Sequence, residues 1–152
     1  MNLSIAGFTG VIASQYIPVL NAIVAPDGLK LLALAHTTIE GFFPGSKAYR
    51  TNNPGNIGTS RIANSTGAYP TLKEGTQAQL NQINLILTGK SKYYKPDSTL
   101  KQYIYTYAPP AENNSEAYLN HVITTFKKQG IVITGETKLR DIATLGGDQK
   151  KK

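Results

Sequence analysis

One stretch constrains the fold more than any other. From about residue 28 to residue 43, Leu29, Leu32, Ala33, Ala35, His36 and Ile39 recur at helical spacing and keep one face apolar. Asp27 is placed to cap the start, and Pro44-Gly45 is the expected stop. A helix with such a stripe needs other elements to cover it. Three more candidates follow. Thr71-Leu72-Lys73-Glu74 reads as a capping box opening a helix through Leu80, Ile83 and Leu87, with Gly89 at its end. Asp97 or Ser98 opens a third, carrying Leu100, Tyr103, Ile104 and Tyr107 up to Pro109-Pro110. A fourth runs from about Asn114 to Gln129, with Asn113 and Glu116 as a cap pattern, Lys127 and Lys128 at the negative end, and Gly130 beyond. A short last helix is expected around Leu139 to Leu145. Ser46 to Pro70 shows no helical period, and Asn64-Ser65-Thr66-Gly67 marks a turn between segments that could pair as a hairpin. The expectation is a compact, mainly α domain over residues 28–145 with one small irregular or β-hairpin insertion.

The chain of 152 residues is long enough for one domain with a real core. It has no cysteine, so a disulfide scaffold, a thiol nucleophile and a cysteine-bearing metal site are excluded. His36 and His121 show no ligand spacing, and neither a metal nor a cofactor is expected. The net charge of +7 favours anionic partners such as nucleic acid, anionic lipid or the bacterial wall. The basic residues are scattered and form no recognised nucleic-acid motif, so nucleic acid is not expected as a partner. Part of the excess lies in Lys150, Lys151 and Lys152, read with the rest of 146–152 as a solvated tail.

Residues 1–26 carry no charged side chain, and Asp27 is the first. A secretory signal would begin with a positive residue, and none is present. A membrane span is diluted by Ser4, Thr9, Ser14, Gln15, Pro18 and Asn21. The expectation for residues 1–27 is an apolar segment buried against the domain or against a neighbouring protein, with membrane anchoring as the rival reading.

Nine carboxylates can be sorted by elimination. Asp148 lies in the tail, and Glu136 and Asp141 sit in a polar stretch near the C-terminal end. Asp27, Glu74, Asp97 and Glu116 read as helix caps. Glu40 and Glu112 remain, and Glu40 is the odd one. It stands in the last turn of an apolar helix, within Ile39-Glu40-Gly41-Phe42-Phe43. The helix carbonyls make that end negative, and aromatic neighbours displace water; both effects favour the protonated carboxyl. A carboxylic acid kept neutral near pH 7 is what cleavage of a glycosidic bond requires. The bland alternative is an ordinary glutamate at a helix end.

Two further segments suit sugars. Arg50-Thr51-Asn52-Asn53-Pro54-Gly55-Asn56-Ile57-Gly58 offers amide donors and acceptors on a stiff loop, although the same residues favour turns for backbone reasons alone. Tyr105-Thr106-Tyr107-Ala108-Pro109-Pro110-Ala111-Glu112-Asn113-Asn114, with Tyr118 beyond, puts tyrosines and amides at a corner between helices.

In order, a helix-borne Glu40, the Arg50 to Ile57 loop, Tyr69 to Gly75 opening a helix, and Tyr107 to Tyr118 resemble phage-type peptidoglycan-degrading proteins of the lysozyme-like superfamily, related to goose-type lysozymes and soluble lytic transglycosylases. The resemblance spans roughly residues 28 to 130. It implies an α+β lysozyme-like fold, mainly α, with a cleft and one essential glutamate, which by position is Glu40. It implies Asn53 and Asn56 lining the cleft near the acid, with Tyr107, Asn113 and Tyr118 opposite. Thr51 stands where the family often carries a further asparagine. The implied substrate is the peptidoglycan glycan strand, cut at the β-1,4 bond between N-acetylmuramic acid and N-acetylglucosamine. The implied setting is a phage virion or the bacterial wall and periplasm, with virion proteins or a membrane as partners of residues 1–26.

No second carboxylate is compellingly placed, which favours the lytic transglycosylase route over hydrolysis; hydrolysis with Glu74 or a loop-held water stays open. The alternative to an enzyme is a non-catalytic virion structural or cell-wall-binding protein with the same fold.

Overall fold

A computed structural model describes residues 2–55, 68–88, 95–111 and 114–145, without the side chain of Glu40. The chain is mainly helical, and no strand forms among the described residues. One turn of π-helix over Ile12–Tyr16 leads into α1 (Ile17–Ala22). It is followed by α2 (Asp27–Glu40), the single-turn α3 (Lys47–Arg50), α4 (Leu72–Leu87), α5 (Leu100–Tyr107), α6 (Ser115–Lys128) and the short α7 (Leu139–Ala143).

α2 is the axis of the molecule. It packs against α4, α6 and α7, while α5 lies on α6 and α1 on α4. Every residue from Asp27 to Thr37 is buried. The one-sided apolar stripe is therefore only part of what this helix buries; a helix covered on every side belongs to the core. Its carboxylate Asp27 is not the cap. Pro26 holds the N-cap position in extended backbone, and Asp27 enters the first turn, where the positive helix end favours a carboxylate. The uncharged N-terminal stretch adds Leu3, Tyr16, Ile17, Leu20 and Ile23 to the same core cluster. No helix of the described residues is long and apolar enough to cross a membrane.

Caps set the other boundaries, some one residue from their expected place. Thr71 caps α4 by accepting from the Glu74 N–H. Thr99, not Asp97 or Ser98, opens α5 with a complete capping box to Gln102. Asp97 instead pairs with Arg140 on α7. Asn114 caps α6 by accepting from the Ala117 N–H. Backbone bonds from Leu100 to Thr137 and from Leu139 to Ser98, around an isolated bridge between Thr99 and Lys138, tie the start of α5 to the approach to α7.

The segment expected to lack helix contains α3, whose start Ser46 caps through the Tyr49 N–H. The Tyr69 N–H returns to the Thr51 carbonyl at 2.8 Å, and Asn52 Nδ2 donates to the Tyr69 carbonyl at 3.0 Å, so the two ends of the intervening loop meet. Asn52 and Pro54 lie on the first turn of α4. A Cβ on Gly75 would stand 1.6 Å from the Asn52 carbonyl oxygen, an approach only glycine permits. The hairpin signal at Asn64 to Gly67, the expected stop at Gly89 and the basic tail 146–152 lie outside the described residues.

Candidate functional site

α2 ends at Glu40 because Gly41 adopts a left-handed conformation, φ 90°, that side-chain-bearing residues resist. Pro44-Gly45 lies beyond this stop. At about 100° per residue, position 40 falls between positions 36 and 37 when viewed down the axis. The elements flanking that end of α2 are therefore those that hold His36 and Thr37.

His36 is fully packed against tyrosines. Its Nδ1 lies 2.6 Å from the Tyr118 hydroxyl and its Nε2 2.6 Å from the Tyr103 hydroxyl. The Tyr107 ring covers it at 4.5 Å between centroids and stands 6.0 Å from the Tyr118 ring. Burial lowers the His36 pKa from 6.5 to about 4, because the imidazolium would lose its hydration. The ring is neutral at pH 7, so one nitrogen donates to a tyrosine oxygen and the other accepts from a tyrosine hydroxyl. The α5–α6 corner that carries these tyrosines is pinned where the Ser115 hydroxyl donates to the Ala108 carbonyl.

On the Thr37 side, Gln79 of α4 joins three elements. Gln79 Oε1 accepts from the Tyr16 hydroxyl at 2.7 Å, and Nε2 donates to Thr37 Oγ1 at 2.7 Å and to the Ala33 carbonyl at 3.3 Å. Burial raises the Tyr16 pKa above the ordinary tyrosine range, so its hydroxyl stays protonated. Gly55 of the asparagine loop sits over Gln79, where an added Cβ would come 2.9 Å from Gln79 Cγ.

A cleft of about 350 Å³ opens beside this end of α2, lined by Ile39, by Asn114 at the N-cap of α6 and by Ala117, Tyr118 and His121 of α6. Its size falls in the range of small-ligand sites, which starts at about 300 Å³. His121 Nε2 lies 2.6 Å from the Thr38 hydroxyl, which itself donates to the Ala35 carbonyl at 2.9 Å. Partial burial, with Lys128 nearby, holds the His121 pKa below its ordinary value.

The structure brings Tyr107 and Tyr118 together over His36 and puts the Tyr118 ring on the cleft wall. Tyr107 stays 38% exposed. Asn53 does not face this cleft. It is 2% exposed, and its N–H donates to the Ala48 carbonyl at 2.9 Å, because its loop folds onto α4. Asn56, Asn113 and Glu112 lie outside the described residues. Among the described residues, no carboxylate lines the cleft and no three His, Asp or Glu side chains gather around a metal position.

In the sequence, His36 and His121 stand out only as an apolar-stripe residue and rejected metal ligands, Asn114 only within its tyrosine- and amide-bearing segment, and Thr38 not at all. The available signal was spacing: His121 follows Tyr118 by three and Asn114 by seven, which puts all three on one face of a helix. Comparison with protein-family models, with curated proteins and with solved structures found no match to this chain.

Proposed function

We propose that the chain is a lysozyme-like enzyme that cuts peptidoglycan glycan strands at the β-1,4 bond between N-acetylmuramic acid and N-acetylglucosamine, acting as a lytic transglycosylase. The observation that carries the reading is the cleft at the end of α2. Glu40 closes the central helix next to Ile39, which lines that cleft beside Tyr118 and His121 of α6. The polar groups around this end of the helix are amides, hydroxyls and a neutral imidazole, which suit an uncharged sugar backbone. The net charge of +7 suits an anionic wall.

Among the described residues the lining offers no carboxylate to partner Glu40, which suits a reaction in which the substrate supplies the missing partner. Glu40, as the carboxylic acid, gives its proton to the bridging oxygen while the bond from that oxygen to the muramyl C1 breaks. The muramyl acetamido oxygen closes on C1 and shares the developing charge. Glu40, now the carboxylate, takes the proton of the C6 hydroxyl, whose oxygen attacks C1 and reopens the acetamido ring. The acid is restored, no water is consumed, and the product is a 1,6-anhydro sugar.

The test is digestion of purified peptidoglycan by the wild-type chain and by Glu40→Gln, with product masses as the readout. Anhydro ends from wild type and no products from the variant support the proposal. Reducing ends, each heavier by one water, would make the enzyme a hydrolase. Absence of products from both would favour a wall-binding or virion structural role.

A further inference from the structure

The uncharged N-terminal stretch enters the core through Leu3 and then leaves it. Residues 5–8 form a turn closed by the Phe8 N–H, which donates to the Ile5 carbonyl at 3.0 Å. Gly7 supplies the positive φ, 86°, near its tip. Turns at a surface are built as a rule from glycine, proline and small polar residues. This one reads Ile5-Ala6-Gly7-Phe8 and carries no polar side chain. Ile5 is 55% exposed, Ala6 is exposed and Phe8 is half-buried. The backbone before the turn is clamped by two amides. Asn21 accepts from the Leu3 N–H at 2.7 Å and donates to the Leu3 carbonyl at 3.1 Å. Gln129, at the end of α6, holds Ser4 in the same way, at 2.7 and 2.9 Å. Lys128 Nζ donates to the Gly7 carbonyl at 3.3 Å and stands 4.8 Å over the Phe8 ring. The turn is thus fixed to the end of α6 with apolar side chains left in water. Val132, three residues beyond Gln129, is 83% exposed.

Charge identifies what meets this surface. Residues 1–26 carry no charged side chain, and residues 117–135 carry Lys127 and Lys128 but no carboxylate. Both lysines are exposed. Apolar tips beside ammonium groups, with no carboxylate among them to repel phosphate, match the boundary of an anionic bilayer. There the tips enter the edge of the acyl region and the lysines meet the headgroups. Val24 is 99% exposed and apolar too, but it borders Gln77, Asn81 and Asn84, and no lysine shares that lining. We propose that the turn at residues 5–8, with Val132, Lys127 and Lys128, is a docking surface for anionic lipid. It holds the chain on a membrane without crossing it, and it uses none of the residues that line the cleft beside α2.

Sedimentation of the full chain with lipid vesicles tests it. Vesicles of phosphatidylcholine and phosphatidylglycerol in equal parts are compared with vesicles of phosphatidylcholine alone. Wild type is expected to sediment with the anionic vesicles only, and less as salt is raised. Ile5→Ser is expected to weaken binding about tenfold, the worth of one inserted aliphatic side chain. Lys127→Gln is expected to weaken it about fivefold, the worth of one lysine at an anionic surface. Val24→Ser is expected to bind as wild type does. All three residues are exposed, so each variant should keep the wild-type thermal midpoint. No sedimentation with anionic vesicles overturns the proposal, as does equal sedimentation with both kinds. Weakening by Lys127→Gln with none by Ile5→Ser means adhesion by charge alone and also overturns it. Binding that both substitutions leave intact, or that Val24→Ser weakens as much, places the contact elsewhere and does the same. The vesicle result stands whether or not the chain digests peptidoglycan, so the two readings fail separately.

Discussion

Lowering the pH from neutrality should weaken this fold through His36. The histidine is enclosed by Tyr103, Tyr107 and Tyr118, and burial holds its pKa at about 4 against an ordinary 6.5. The unfolded chain therefore takes up the proton first. Stability is intact above the unfolded value and falls as the pH drops toward the folded one. The gap is worth at most about 3 kcal/mol. Between about pH 7.5 and about pH 5, roughly 2 kcal/mol should be lost. That is a large fraction of the ~5–15 kcal/mol typical of a domain. His121 is depressed in the same direction and adds to the loss, so His36 must be isolated by substitution. Urea denaturation followed by circular dichroism, at both pH values, should show the loss in wild type. In His36→Gln it should shrink by about 2 kcal/mol, although that variant starts from lower stability. An NMR titration of His36 near 6.5, or an identical pH dependence in the variant, would refute the reasoning.

Two further substitutions probe the frame that holds the site. Gly75→Ala replaces a helical glycine, which alone would add up to about 1 kcal/mol; the Asn52 carbonyl blocks the new Cβ, so a net loss of about 1–3 kcal/mol is expected in urea denaturation. A rise in stability would show that the asparagine loop does not rest on α4. Thr99→Ala removes the capping box of α5 and should cost about 1 kcal/mol, read as a lower thermal midpoint; an unchanged midpoint would mean that the bonds to residues 135–139 hold the helix start unaided.

Much of the helical frame was legible because its signals are local. The apolar stripes of α4, α5 and α6 and the hydroxyl or amide caps beside them act within a few residues, so they survive in the sequence. The misplaced boundaries have local causes too. Pro26 took the N-cap from Asp27, and Gly41 stopped α2 ahead of Pro44-Gly45. α3 has four residues and no period to read, and the π turn at Ile12–Tyr16 follows no helical template. The site divides in the same way. Tyr107 and Tyr118 stood out because they lie near each other in the chain. His36 and Thr38 meet Tyr118 and His121 across more than eighty residues, contacts that exist only once α2 and α6 pack. Asn53 reads in sequence as a loop amide free to meet a sugar, yet the inward fold of its loop buries it.

On the proposed mechanism one carboxyl group, Glu40, cleaves the glycan strand without consuming water. Digesting peptidoglycan in heavy-oxygen water and weighing the new sugar ends tests this directly. Anhydro ends with no heavy oxygen are expected from wild type, and no new ends from Glu40→Gln. Heavy oxygen at the new ends, or equal product from the variant, would contradict it.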